Sequence, residues 1–100
     1  MIVTGGENVY SREVEEVIQD LSAVFEVAVI GVPDPHWGEN VVAVVVPRAG
    51  AALSEGEVVD ACRRSLAGYK KPKRVVFVDE LPRNASGKIL KRELRDQLVT

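Results

Sequence analysis

Val24-Phe25-Glu26-Val27-Ala28-Val29-Ile30-Gly31-Val32 and Val41-Val42-Ala43-Val44-Val45-Val46 are two nearly continuous apolar runs. Each has the length of a strand and too little polar alternation for a half-exposed one, so both read as buried strands. Pro33-Asp34-Pro35-His36-Trp37-Gly38 separates them. This segment is dense in turn formers, too long for a tight hairpin and short enough to leave the two strands adjacent. Upstream, Met1-Ile2-Val3-Thr4 is a short β-favouring stretch that runs into a Gly5-Gly6 turn. Ser11 is placed to cap a helix in which Val14, Val17, Ile18 and Leu21 share one face, with Glu15, Glu16, Gln19 and Asp20 opposite. Downstream, Ser54 and Glu57 form a capping-box pattern ahead of a second helix over roughly 55–67, with Gly68 as its stop. Lys70-Lys71-Pro72-Lys73 is a basic loop, and Arg74-Val75-Val76-Phe77-Val78 is a third strong strand. Residues 79–87 read as an exposed loop, held by Pro82 and loosened by Asn84, Ala85, Ser86 and Gly87. Leu90, Leu94 and Leu98, four apart, mark a terminal helix. The expected class is α+β: a small mixed β-sheet with about three helices packed on it.

One hundred residues, 46% of them apolar and 28% charged, fit a single soluble domain spanning 1–100. A chain of this size buries enough surface to fold without disulfides or a structural metal, and the single Cys62 cannot form an internal disulfide. No apolar run approaches the ~20 residues of a membrane span, and the first residues show no basic region followed by a long apolar stretch. The expected location is cytoplasmic. The net charge of −2 conceals a strong asymmetry. Residues 1–62 carry two basic and eleven acidic side chains, whereas residues 63–100 carry eleven basic and four acidic. A basic third suits an anionic partner such as a nucleotide, a coenzyme or nucleic acid, and equally suits pairing with the acidic half.

Among motifs, Ser86-Gly87-Lys88 at the lip of a helix has the look of a phosphate-binding loop, but Pro82 stands where that motif needs Gly and Ile89 where it needs Ser or Thr. What survives is one lysine on a pliable loop, a hydrogen-bond donor and point charge rather than a base. His36 has no second ligand at metal spacing, so no metal site is expected. Trp37 is expected to plug the turn against the sheet, and Cys62 to lie in the core. Asn84-Ala85-Ser86 is a fortuitous glycosylation sequon.

Three further segments carry a resemblance. Met1-Ile2-Val3-Thr4-Gly5-Gly6-Glu7-Asn8-Val9-Tyr10 with Glu13-Val14-Glu15, Gly31-Val32-Pro33-Asp34 with Trp37-Gly38-Glu39, and Tyr69-Lys70-Lys71-Pro72-Lys73 through Asp79-Glu80-Leu81-Pro82 to Ser86-Gly87-Lys88 occur in this order over nearly the whole chain. Together they resemble the C-terminal domain of the adenylate-forming enzymes, specifically the acyl-CoA synthetases (AMP-forming acid:CoA ligases). The resemblance implies a small mobile lid that works with a large N-terminal adenylation domain on a carboxylic acid, ATP and CoA. Magnesium would accompany ATP on that larger domain. It implies that Lys88 is the lid lysine, offsetting charge as a carboxylate attacks the α-phosphate. It implies that, after the lid rotates, the Gly5-Gly6 face lets the pantetheine arm of CoA pass. Arg63, with Arg64 an equally good candidate, is the implied contact for the CoA nucleotide, and Lys70, Lys71 and Lys73 add charge for its phosphates.

The sequence departs from the family pattern at its start, where the hinge residue expected before Met1 is absent. It also lacks the phosphate loop and the adenine-, ribose- and acid-binding motifs of the large domain, so the chain is expected to be a separated lid, inactive alone. Ser11 stands where relatives often have Pro, and both suit a helix start. Fatty-acid ligases are the expected subtype. The alternative is a small anion- or nucleic-acid-binding module using the basic third. Phe77 is the only ring between Lys70 and Thr100, too few for a stacking platform, so no nucleic-acid partner is expected.

Overall fold

The structure, a computed structural model, describes residues 1–99, the side chains of Tyr69 and Val99 excepted. Ile2–Thr4 (β1) and Glu7–Val9 (β2) form a hairpin across Gly5 and Gly6. Both glycines have positive φ, 56° and 82°, as a two-residue loop with the twist of its strands requires. The second strand of this hairpin is an addition to the sequence expectation, because Glu7-Asn8-Val9 is too short and polar to announce itself. The Ser11–Gln19 helix (α1) follows, with Val14 and Ile18 fully buried. Ser11 is its first helical residue rather than its cap; Tyr10 holds the cap position and no side chain bonds there.

Val24–Asp34 (β3) and Gly38–Pro47 (β4) pair antiparallel along their whole lengths. The connection is therefore a three-residue hairpin loop, Pro35 to Trp37, tighter than the turn-forming composition suggested. The Glu55–Ser65 helix (α2) carries the expected capping box: Ser54 Oγ accepts from Glu57 N–H at 3.2 Å, and the Glu57 carboxylate accepts from Ser54 N–H at 3.0 Å. A 3₁₀ turn, Gly68–Lys70, leads to Arg74–Phe77 (β5), which runs parallel to β4. A parallel neighbour needs a crossover, and α2 supplies it. Lys91–Val99 (α3) closes the chain.

β4 is the central strand. β3 lines one of its edges, while β1 at Thr4 and β5 at residues 74–77 share the other. The side-chain period of two then divides the apolar runs. Val27, Val29, Val41, Ala43 and Val45 face α1 and α2 in one core, and Ala28, Ile30, Val42, Val44 and Val46 face Leu81 and Leu94 in the other. Both faces of the sheet are covered, which is why neither run alternates. Each fully buried valine or isoleucine contributes about 1.5–3 kcal/mol of apolar transfer free energy.

β3 is an edge strand, and side chains close its free edge. Glu15 accepts from Val29 N–H at 2.8 Å, Gln19 donates to the carbonyls of Val24 and Phe25, and Arg95 Nε donates to the carbonyl of Gly31 at 2.8 Å. Gly31 also leaves room for Glu39. A Cβ at Gly31 would stand 2.5 Å from Glu39 Oε2 and 3.1 Å from Ile2 Cγ1, while Glu39 Oε1 accepts from Val3 N–H at 3.0 Å. Gly31→Ala must displace that carboxylate from the Val3 donor, which is exposed and can turn to water. It is expected to lower stability by about 0.5–1.5 kcal/mol, the net worth of one hydrogen bond, read from the denaturant midpoint; an unshifted midpoint contradicts this packing.

Candidate functional site

Lys88 sits on a tight hairpin built by Pro82 to Leu90. Arg83 and Ile89 form an isolated antiparallel bridge, and Leu90 N–H donates to the Pro82 carbonyl at 2.8 Å. Asn84 N–H donates to the Lys88 carbonyl at 3.0 Å, Gly87 N–H to the Asn84 carbonyl at 2.9 Å, and Gly87 has φ of 85°. This is a type I turn followed by a left-handed glycine, a common three-residue hairpin loop. Asn84 Oδ1 accepts from both Ser86 N–H and Lys88 N–H, each at 3.0 Å. Arg83 donates to the Gly87 carbonyl at 2.8 Å and pairs with Glu26 of β3. The loop read from sequence as pliable is internally bonded and fastened to the sheet, because the short polar residues taken as looseners satisfy the backbone instead. The Lys88 side chain is exposed, and no partner for its ammonium is present among the described residues.

A second region forms at the other end of the β3–β4 pair. Gly5 N–H donates to the Trp37 carbonyl at 2.9 Å, and a Cβ at Gly5 would stand 3.0 Å from the indole ring. Nothing lies within 4 Å of a Cβ at Gly6. Asp34 fixes the Trp37 loop: its Oδ1 accepts from His36 N–H at 2.8 Å and Trp37 N–H at 2.9 Å, and its Oδ2 from Asn40 at 2.9 Å. The backbone donors of Trp37 and then His36 hold the Asp34 carboxyl below its ordinary value. Lys73 Nζ lies 4.4 Å from the centroid of the Trp37 ring, a cation–π contact. Thr4, Gly5, Glu7, Trp37, Lys71 and Lys73 line a cavity of about 270 Å³. Trp37 thus departs from its expected role as a plug: it is 45% exposed and walls this cavity.

The loop hydrogen bonds of Asp34 form above the ordinary aspartate pKa of about 3.9 and are lost as pH falls through the lowered value of the folded protein. Trp37 is the only tryptophan, so its emission reports this loop. An acid-induced red shift beginning below about pH 3.9 is expected, and Asp34→Ala should produce the shifted spectrum already at neutral pH. Identical spectra for the two proteins contradict the assigned role of Asp34.

The remaining candidates are distributed as follows. Lys70 pairs with Glu13 at 2.7 Å and is only 20% exposed, which ties the 3₁₀ turn to α1. Lys71, its neighbour, is the one on the cavity. Arg63 lies exposed on α2 and pairs with Asp60 at 2.9 Å. Lys91 pairs with Glu15 at 2.8 Å. Three ion pairs, Glu13–Lys70, Glu15–Lys91 and Glu26–Arg83, therefore join the acidic half to the basic third. Cys62 is buried on α2, where burial pushes its thiol up to about 11. Among the described residues, no three His, Cys, Asp or Glu side chains are grouped to hold a metal ion. Among the described residues, no helix is long and apolar enough to cross a membrane.

The two regions hang from opposite ends of one strand pair. Gly38, partner of Thr4, and Val46, partner of Glu26, are eight residues apart, about 26 Å at 3.3 Å per residue. A small two-faced sheet with a bonded lysine hairpin at one end and a glycine-lined basic cavity at the other matches a known class. Residues 13–88 fit the AMP-binding enzyme C-terminal domain, and the chain belongs to that family. It is similar to the long-chain-fatty-acid–CoA ligase FadD13 of Mycobacterium tuberculosis, 52% identical over 97% of this chain and 19% of the relative. It is equally similar to the feruloyl-CoA synthase of an Amycolatopsis species, 53% identical over 95% of this chain and 19% of the relative. A solved fatty acyl CoA synthetase of M. tuberculosis superposes with a TM-score of 0.92 at 51% identity, over 98% of this chain and 19% of that one. The chain therefore spans about a fifth of the length of the relatives it matches, and its α+β fold is that of the C-terminal domain of acyl-CoA synthetases.

Proposed function

We propose that this chain is the lid of a cytoplasmic, AMP-forming acyl-CoA ligase and serves its two half-reactions with two different ends. The carrying observation is the separation of a free, exposed lysine on a bonded hairpin from a basic cavity beside Gly5, with about 26 Å between their anchor points on the sheet. One orientation of so small a domain cannot present both ends to one active site, so rotation against a larger adenylation domain is required.

In the first orientation Lys88 meets the acid and ATP. Carboxylate and α-phosphate are both anionic, and an ammonium held between them offsets their repulsion and the charge that develops as pyrophosphate leaves. The hairpin bonds keep its main chain fixed, so little reorganisation accompanies the step. Magnesium belongs with ATP on the larger domain. In the second orientation the Gly5–Trp37 cavity faces the acyl-adenylate. Gly5 leaves a passage for a slender pantetheine arm, and Lys71 with Lys73 supplies positive charge toward CoA phosphates. Lys70 acts through its Glu13 pair, holding the turn that carries Lys71. Arg63, exposed on α2, adds charge toward the nucleotide.

For the acid, we take the fatty-acid class named in the M. tuberculosis relative and structure. A screen of the full-length ligase with long-chain and aromatic acids tests it; preference for an aromatic acid overturns it. The division of labour is tested by following pyrophosphate release and acyl-CoA formation separately in variants of each end. Equal damage to both steps by a variant at either end contradicts the proposal.

A further inference from the structure

We infer that Asn84 is a positioning residue for Lys88, an inference that rests on the adenylation role proposed for that lysine. Lys88 is held by its main chain alone, and the same residue holds it on both sides. The Asn84 N–H donates to the Lys88 carbonyl at 3.0 Å, and Asn84 Oδ1 accepts from the Lys88 N–H at 3.0 Å. That oxygen also takes the Ser86 N–H at 3.0 Å, fixing the turn between them. The Asn84 carboxamide is thus the hub of the loop, while the Lys88 side chain stays free to reach outward.

The arrangement separates two demands. A lysine that bridges two anions needs a fixed Cα, because misplacement by about 1 Å costs on the order of 100-fold in rate. It also needs an unpaired ammonium, since an ion pair within the lid would have to break at each turnover. Arg83 fastens the base of the hairpin to Glu26 and to the Gly87 carbonyl, but it makes no bond to Lys88. Arg83 thereby fixes the carbonyl of the peptide unit before Lys88, whereas Asn84 bonds both the N–H and the C=O of Lys88 itself. Both of its bonds to the loop donors are exposed, so water can replace the lost acceptor and the fold itself depends little on it.

The test uses the full-length ligase that carries this domain, with the two half-reactions measured separately. Asn84→Ala is expected to lower acyl-adenylate formation about 10- to 100-fold, with thioester formation from supplied acyl-adenylate close to wild type. Asn84→Asp keeps an oxygen at the same place for both N–H donors and is expected to restore most of the lost rate. In a Lys88→Ala background, Asn84→Ala is expected to cause no further loss, because its effect passes through the lysine. Wild-type adenylation by Asn84→Ala, equal loss in both half-reactions, or a full additional loss in the double variant would each overturn the inference. A harmless Lys88→Ala would instead remove the underlying reading of the lysine, so the two failures are distinguishable.

Discussion

Lys88→Ala, in the full-length ligase, is expected to lower acyl-adenylate formation by about 100- to 1,000-fold, the usual loss when one preorganised donor to developing charge is removed. Thioester formation from supplied acyl-adenylate and CoA should stay close to wild type. The selectivity follows from placement: the Lys88 hairpin is fastened at Glu26, at the far end of the β3–β4 pair from the Gly5 cavity. Its side chain is exposed and supports no part of either core, so truncation leaves packing intact. Lys88→Arg should recover only part of the rate, since a planar fork cannot take up the position of a compact ammonium between two anions. Pyrophosphate release timed by rapid quench reads the first step, and wild-type release from Lys88→Ala would contradict the role given to this residue.

Gly5→Val is expected to do the reverse. A Cβ at Gly5 meets the Trp37 ring at 3.0 Å, so a valine there must push aside the indole that walls the cavity shared with Lys71 and Lys73. Overpacking of this kind costs about 1–3 kcal/mol of folded stability, and the thioester step, which uses the passage, is expected to slow selectively. The positive φ of 56° adds strain to the turn, so a modest loss of domain stability accompanies the change. Gly6 shares the strain but faces open space, and a side chain there should affect thioester formation less than one at Gly5. A Gly5→Val enzyme that makes acyl-CoA from supplied adenylate at the wild-type rate would contradict the passage.

Much of the fold was legible because the apolar runs are long and their chemistry one-sided. Val24–Val32 and Val41–Val46 mark two strands buried on both faces, Ser54 and Glu57 mark a helix start, and the four-residue spacing of Leu90, Leu94 and Leu98 marks the last helix. The three-residue hairpin at Pro35–Trp37 was not legible as such, because its turn formers also continue strand pairing: Asp34 pairs with Gly38 while its side chain holds the loop. At the site, Lys88, Gly5 and Lys71 were reached through the family resemblance rather than through spacing. Trp37 and Asn84 were misjudged for a common reason. Composition reports that a residue type tends to sit in a turn or a core, but it does not report which donors its polar atoms meet. The Asp34-x-x-Trp37 and Asn84-x-Ser86 intervals, with an acceptor side chain two or three residues before the N–H groups it takes, were the available signals. The charge asymmetry along the chain also took on a different meaning in three dimensions. Lys70, Lys91 and Arg83 of the basic third pair with Glu13, Glu15 and Glu26, while Arg64, Lys71, Lys73, Arg74, Lys88 and Arg92 remain exposed.

The claim that the lid works with two ends is tested most directly by the amount of acyl-adenylate that accumulates in a single-turnover reaction of the full-length ligase with acid, ATP and CoA. Gly5→Val is predicted to release pyrophosphate at the wild-type rate and build up acyl-adenylate, whereas Lys88→Ala is predicted to release it slowly and build up none. Accumulation in both variants, or in neither, would contradict the division of the two half-reactions between the two ends of this domain.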